Sequence, residues 1–306
     1  MAADESDPAA DRALAILRLE IDAIDNAMHD LLMSRAEIVD RVAAAKGRGG
    51  SMNAAPLFRA GREASIVRRL IARNRGPLPV EALVGVWREI IASLTRLQGE
   101  FVVTAFAPDE PSRYLDLARE HFGARGPLQK AATIASALTA LEKGRAQLAV
   151  LPVPGDEPDA QGGWWRGLGG GHGLRRPASG LHILARLPFL AGPRREADAV
   201  VVGLQSFDPS TDDRGYLAIE TETEISRSRM RTALEAAGLS PLAFPAQAEE
   251  KLARGRALQY QLVETPALIP PNDLRMLRLA GALGGAGVRS LGGYAQPLSP
   301  GSAKRK

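Results

Sequence analysis

Residues 11–46 read DRALAILRLEIDAIDNAMHDLLMSRAEIVDRVAAAK, with no proline or glycine anywhere in the run. Leu17, Ile24, Leu31 and Ile38 recur every seven residues, and Leu14, Ile21, Met28 and Val42 lie beside them. That is a sustained apolar stripe at the helical period. At about 1.5 Å per residue the helix is a rod of about 50 Å. A domain of this size cannot cover such a rod by itself. The stripe therefore needs another long helix alongside, most simply the same helix of a second subunit.

Working outward, Gly47 to Gly50 break the rod, and Pro56-Leu57-Phe58-Arg59-Ala60-Gly61-Arg62-Glu63 leads into a second helix ending near Asn74. Gly76-Pro77-Leu78-Pro79 is a stop and restart. A third helix is expected from Val80 to Gln98, with Leu83, Val86, Trp87, Ile90, Ile91, Leu94 and Leu97 facing inward. The first unit, residues 11–99 after a tail of residues 1–10, is thus an all-α domain of three helices, long-short-long, pairing as an intertwined dimer.

Past Gly99 the pattern changes. Phe101–Phe106 reads as a buried strand, Ser112–Phe122 and Ala131–Gly144 as helices, and Gln147–Pro154 as a strand. Residues 154–180, rich in Gly, Pro and Trp, read as a long loop within an α/β region spanning residues 100–207. In that loop Gly169-Gly170-Gly171-His172-Gly173 has no following Lys-Ser/Thr and no strand leading into it, so a flexible linker is expected rather than a phosphate loop. Trp164-Trp165 would cap a core edge. After the turn-rich Asp208–Asp213, residues 216–298 read as strand (Tyr216–Glu220), helix (Ser226–Ala237), strand (Leu242–Phe244), strand (Leu258–Val263), helix (Asp273–Leu283) and strand (Val288–Ala295). That β-α-β-β-α-β order is ferredoxin-like. The expected second unit of the α/β or α+β C-terminal region is residues 208–298, with a basic tail at 299–306.

Composition narrows the chemistry. The chain has 306 residues, 45% hydrophobic and 24% charged, which is ordinary for a globular protein of two or three units. There is no cysteine, so thiolate ligands, disulfides and cysteine nucleophiles are excluded. His29, His121, His172 and His182 are scattered without ligand spacing, and no metal site is expected. The net charge of +4 is dispersed among acids, with part of it in Lys304-Arg305-Lys306. Neither nucleic acid nor membrane is expected as a partner. Residues 1–8 lack the basic and apolar regions of a secretory signal, so the expected location is cytoplasmic.

The polar residues on the first helix carry the functional signal. Arg18 and Asp25 lie seven apart, and Arg35 and Lys46 eleven apart, so each pair stays near one side of the rod. Arg35 follows the apolar run Leu31-Leu32-Met33. Guanidinium and ammonium groups beside a packing stripe suit a small dicarboxylate, because Arg grips carboxylate bidentately and Lys adds a point charge. The same cations could equally be surface groups pairing with Glu20, Asp22, Glu37 and Asp40.

Taken together, the blocks Leu17-Arg18-x-x-Ile21-Asp22-x-Ile24-Asp25, Leu31-Leu32-x-x-Arg35, Val42-Ala43-x-x-Lys46, Arg59-x-x-Arg62-Glu63 and Trp87-Arg88-Glu89-Ile90-Ile91, followed by Gln98, resemble the all-helical AroQ class of chorismate mutases. The resemblance covers about the first third of the chain. It implies rearrangement of chorismate to prephenate, a pericyclic step needing no metal, cofactor or nucleophile. By the same resemblance Arg35 would hold one substrate carboxylate, and Arg18 from the partner subunit the other. Lys46 and Gln98 would donate to the ether oxygen, Glu63 would contact the ring hydroxyl, and Arg62 would support the pocket. Arg59 stands where many members place an acid, and Leu94 where a hydroxyl-bearing residue is common.

The β-α-α-β run of residues 101–154 resembles the first lobe of a prephenate dehydratase. The family's catalytic signatures are replaced by Pro154-Gly155-Asp156 and Asp213-Arg214-Gly215, and about 60 residues between them are too few for a second lobe. Residues 216–298 are similar to an ACT domain, which implies an amino-acid effector or a structural role. Ser228 replaces the glycine that usually opens its first helix. Two alternatives stand beside the mutase: a non-catalytic metabolite-sensing dimer, and a bifunctional mutase-dehydratase.

Overall fold

The computed structural model describes residues 8–45, 56–109, 111–156, 162–172, 179–191, 198–253 and 257–299. The chain divides into two compact units. One holds residues 1–55 and 94–100, and the other residues 56–93 and 101–306.

In the first unit α1 runs unbroken from Pro8 to Ala45, as the uninterrupted apolar period requires. Its stripe is bare. Leu14, Leu17, Ile21, Ile24, Met28, Leu31, Ile38 and Val42 are each between 41% and 71% exposed. Such a row on one helix is far from the scattered surface apolars of ordinary proteins.

The helices α2 (Ala60–Arg73) and α3 (Val80–Arg96) fall where the glycine and proline breaks predict. The buried face of α3 differs from expectation. Val84, Arg88, Ile91, Ala92 and Thr95 are buried, whereas Val86 and Leu97 are about half exposed. The true inward stripe contains an arginine, and a hydrophobicity count passes over it.

The rest of the second unit is one mixed sheet. Its strands are β1 (Val103–Phe106), β2 (Leu128–Ala131), β3 (Leu148–Pro152), β4 (Gly170–His172), β5 (His182–Leu187), β6 (Ala199–Gly203), β7 (Asp213–Thr221), β8 (Gln247–Lys251), β9 (Ala257–Thr265) and β10 (Gly287–Ala295). The order across it is β2-β1-β3-β6-β5-β10-β7-β9-β8, with β4 paired to β10 off that path. Helices α4 (Arg113–Phe122) and α5 (Ile134–Glu142) connect β1, β2 and β3, which run parallel to one another. Helices α6 (Arg227–Ala236) and α7 (Leu274–Ala282) belong to the β7–β10 half, whose strand order is that of a ferredoxin-like sheet.

Alternation along the strands builds two cores. Leu217, Ile219, Val263 and Val288 pack with Met230, Leu234, Met276 and Leu279 of α6 and α7. Tyr216, Ala218, Tyr260 and Leu262 point the other way, into a larger cluster with Trp165 and the β1–β3 layer. Exposed Gln129 and Lys130 on β2, and exposed Glu249 and Lys251 on β8, put polar groups on the strands at the two ends of that order.

Four local expectations change. Ala131 ends a strand instead of opening a helix. Leu242–Phe244, bracketed by Pro241 and Pro245, makes only an isolated bridge from Ala243 to Glu264, and the strand follows at β8. The glycine run is no linker over its described part, because residues 170–172 pair with residues 288–290 of β10. Gly169 shows why glycine is needed there. Its φ is +88°, and a Cβ would lie 2.2 Å from the Ser290 carbonyl oxygen. Trp165 is fully buried in the core rather than at its edge.

Candidate functional site

On α1, Arg18 and Asp25 are exposed and Arg35 is half-buried. Lys46 lies outside the described residues. Gln98 is half-buried just past the end of α3, where its backbone N–H donates to the Thr95 carbonyl at 3.0 Å. Because α1 is straight-through helix, the 17 residues from Arg18 to Arg35 correspond to about 26 Å of axial rise. Two such cations on one helix cannot close on a single small dianion.

Arg62 and Glu63 belong to the other unit and open α2. Arg62 is exposed. Glu63 is not. Only 8% of it reaches solvent, and its Oε2 accepts from Arg88 Nη1 of α3 at 2.9 Å. His121, near the end of α4, brings its Nε2 to 3.4 Å from the same guanidinium nitrogen and 3.9 Å from Glu63 Oε2. Glu63, given a ring hydroxyl by resemblance, thus already has partners inside the protein.

This buried triad joins α2, α3 and α4. Phe58 and Phe122 pack on the His121 ring edge-to-face at centroid distances of 6.1 and 4.7 Å, and the Arg88 guanidinium lies over Phe189 at 5.5 Å. Burial pushes the Glu63 carboxyl up to about 7, against the opposing pull of Arg88. Burial, with the Arg88 charge beside it, holds His121 well below its ordinary range, so this imidazole is neutral. A small hollow borders the triad, lined among others by Phe58, Ala64, Arg186 and Phe189.

The departure at Arg59 also has a structural answer. Arg59 donates through Nε at 3.1 Å and Nη2 at 2.8 Å to Asp208 Oδ1, and the Arg62 backbone N–H donates to Oδ2 at 3.0 Å. An acid at position 59 would face that carboxylate. The sequence offered one sign of Arg88, its place four residues after Val84 and four before Ala92 on a helix face. Nothing local pointed to Asp208, which lies 149 residues from Arg59.

Among the described residues no cluster of metal-binding side chains occurs, and no helix is long and apolar enough to cross a membrane.

Residues 17–99 match the chorismate mutase type II family. The mutase segment so defined holds α2, α3 and most of α1, together with every site residue named from the sequence. A bifunctional chorismate mutase/prephenate dehydratase of Pseudomonas aeruginosa is 30% identical over 141 residues, covering 46% of this chain and 38% of that protein. The homonymous protein of Aquifex aeolicus is also 30% identical, over 45% of this chain and 38% of its own length. The chain therefore matches well under half the length of these relatives. Among solved structures, prephenate dehydratase from Streptococcus mutans aligns at 15% identity and a TM-score of 0.42, covering 65% of this chain and all of that one.

Proposed function

We propose that the protein is a chorismate mutase acting as a homodimer in aromatic amino-acid biosynthesis in the cytoplasm. The observation that carries this reading is α1: one unbroken helix whose apolar stripe is bare and whose two arginines stand about 26 Å apart. A second copy laid along the stripe answers both features. It covers the exposed leucines and isoleucines, and it brings its own Arg18 toward Arg35 of the first chain. Burying side chains of this size contributes roughly 1.5–3 kcal/mol each before the losses of association. Eight such positions make ample driving force.

The chemistry asked of such a site is modest. Chorismate must be held as a dianion in its compact reactive conformer, and negative charge growing on the ether oxygen must be met by donors. Arg35 and the second copy's arginine at position 18 would grip the two carboxylates bidentately. Lys46 and Gln98 would donate to the ether oxygen, and Arg62 would add a supporting positive charge. No cofactor enters this scheme. Glu63 leaves the substrate-binding set in our reading, because Arg88 already engages it. The C-terminal region then has a regulatory or structural role, and an amino-acid effector is a candidate ligand for its ferredoxin-like half.

The decisive measurement follows chorismate consumption by the wild type, Arg35→Ala and Lys46→Ala. The variants should lose about 100-fold or more in kcat/KM, the scale set by removal of a charge-stabilising donor. Equal inertness of all three would leave a metabolite-sensing dimer in place of an enzyme.

The names of the relatives favour a second reading, a mutase that is also a prephenate dehydratase. Pro154-Gly155-Asp156 follows β3 and Asp213-Arg214-Gly215 opens β7 where that activity would need other residues. Incubation with prephenate should yield no phenylpyruvate, and its formation would restore the bifunctional reading.

A further inference from the structure

Helix α2 begins without a cap of its own. Its N-cap residue is Arg59, whose side chain accepts nothing, whereas α4, α5, α6 and α7 are capped by Ser112, Thr133, Ser226 and Asp273. The missing acceptor comes from far along the chain. Asp208, on the loop between β6 and β7, accepts the Arg62 N–H through one oxygen and the Arg59 guanidinium through the other. Its side chain is 15% exposed while that of Arg59 is 44% exposed, so these are charge-assisted bonds at the protein surface. A carboxylate at a helix N-terminus also meets the positive end of the helix dipole.

Other groups on the same loop and beyond it hold α2 too. Gln205 Nε2 donates to the Phe58 carbonyl at 2.6 Å. Arg68, in the middle of α2, donates to Ser210 Oγ at 2.8 Å and to the carbonyls of Asp212 and Gln296 at 3.0 Å each. Its guanidinium lies over Phe189. The fit is close enough to fix residue size: a Cβ on Gly61 would stand 2.2 Å from the Asp208 carbonyl oxygen and 2.4 Å from that of Pro209.

We propose that the loop of residues 204–213 is the seat on which α2 of the mutase segment is positioned, with Asp208 as the positioning residue for the turn that carries Arg62. The inference rests on the mutase reading and gives the C-terminal region a task within it. That region supplies the first turn of α2 with the acceptor its own sequence lacks, and so sets where the Arg62 side chain begins. The turn that carries Arg62 is thereby governed by a residue about 150 positions downstream.

The test uses the full chain, with Asp208→Ala and Asp208→Asn. Two readouts are taken: hydrogen exchange at the Arg62 amide, and kcat and KM for chorismate. Asp208→Ala should speed exchange at Arg62 and raise KM, each by about tenfold, the scale of a lost cap, with a smaller change in kcat. Asp208→Asn still offers an oxygen to the Arg62 N–H and should recover most of both. A merely structural role would reduce the amount of active protein and leave KM alone. An active wild type whose KM does not move in Asp208→Ala overturns the positioning role and spares the mutase reading. A wild type inert toward chorismate overturns the mutase reading, and with it the catalytic half of the proposal. Unchanged exchange at Arg62 overturns the anchoring half.

Discussion

Glu63 carries a carboxyl whose ordinary value is 4.5 and which burial lifts to about 7 in the fold. Between those two pH values the folded chain keeps a proton that the unfolded chain has released. The stability this proton contributes is full below about pH 4.5 and is lost as pH rises through about 7. Glu63→Gln cannot titrate. Between about pH 5 and about pH 8 the melting temperature of the wild type should therefore fall relative to that of the variant. A gap that stays constant would mean that Arg88 keeps the carboxylate ionised throughout. His121, with its value depressed, works in the opposite direction as pH falls below about 6.5, and comparing the two proteins largely removes it. The residue types at this place were legible in the sequence, but their partners were not. Arg88 is 25 positions from Glu63 and His121 is 33 from Arg88, and no periodicity links residues on three different helices. The signal tied Glu63 to a substrate. The fold ties it to an arginine.

Helices were read with little error because glycine and proline punctuate them. The breaks at Gly76-Pro77 and before Val80 set the limits of α2 and α3 to within a few residues. Strands were read unevenly. β2 hides behind exposed Gln129 and Lys130, and β4 is glycine where β propensity expects branched side chains. What defines β4 is the close approach of β10, which exists only once the sheet has formed. The same reasoning gives a prediction for α2. Gly61→Ala forces a methyl against two backbone carbonyls that cannot rotate away, and should cost about 1–3 kcal/mol in denaturant unfolding. Ala at Gly85, which has open space around it, should stabilise by about 0.5–1 kcal/mol through helix propensity alone.

At the scale of the whole molecule, the bare stripe on α1 is the face on which the proposed second copy would lie. Leu31→Glu places a charge in the middle of that stripe, and sedimentation should report a dimer for the wild type and a monomer for the variant. Sharing of the site has its own signature. Arg18→Ala and Arg35→Ala chains, each inert alone, should regain about a quarter of wild-type activity when unfolded and refolded together, because half the dimers are then mixed and each mixed dimer has one intact site. No recovery would place both arginines in the same subunit's site. A last consequence follows from the parallel pairing of β5 with β10 at Ile183 and Gly292, where a Cβ on Gly292 would lie 2.3 Å from the Ile183 carbonyl oxygen. The last strand among the described residues is stitched into the middle of the sheet, between β5 and β7. Residues 101–286 must therefore already be made before that layer can close, and a product released short of β10 would carry two raw, sticky margins instead of a usable half.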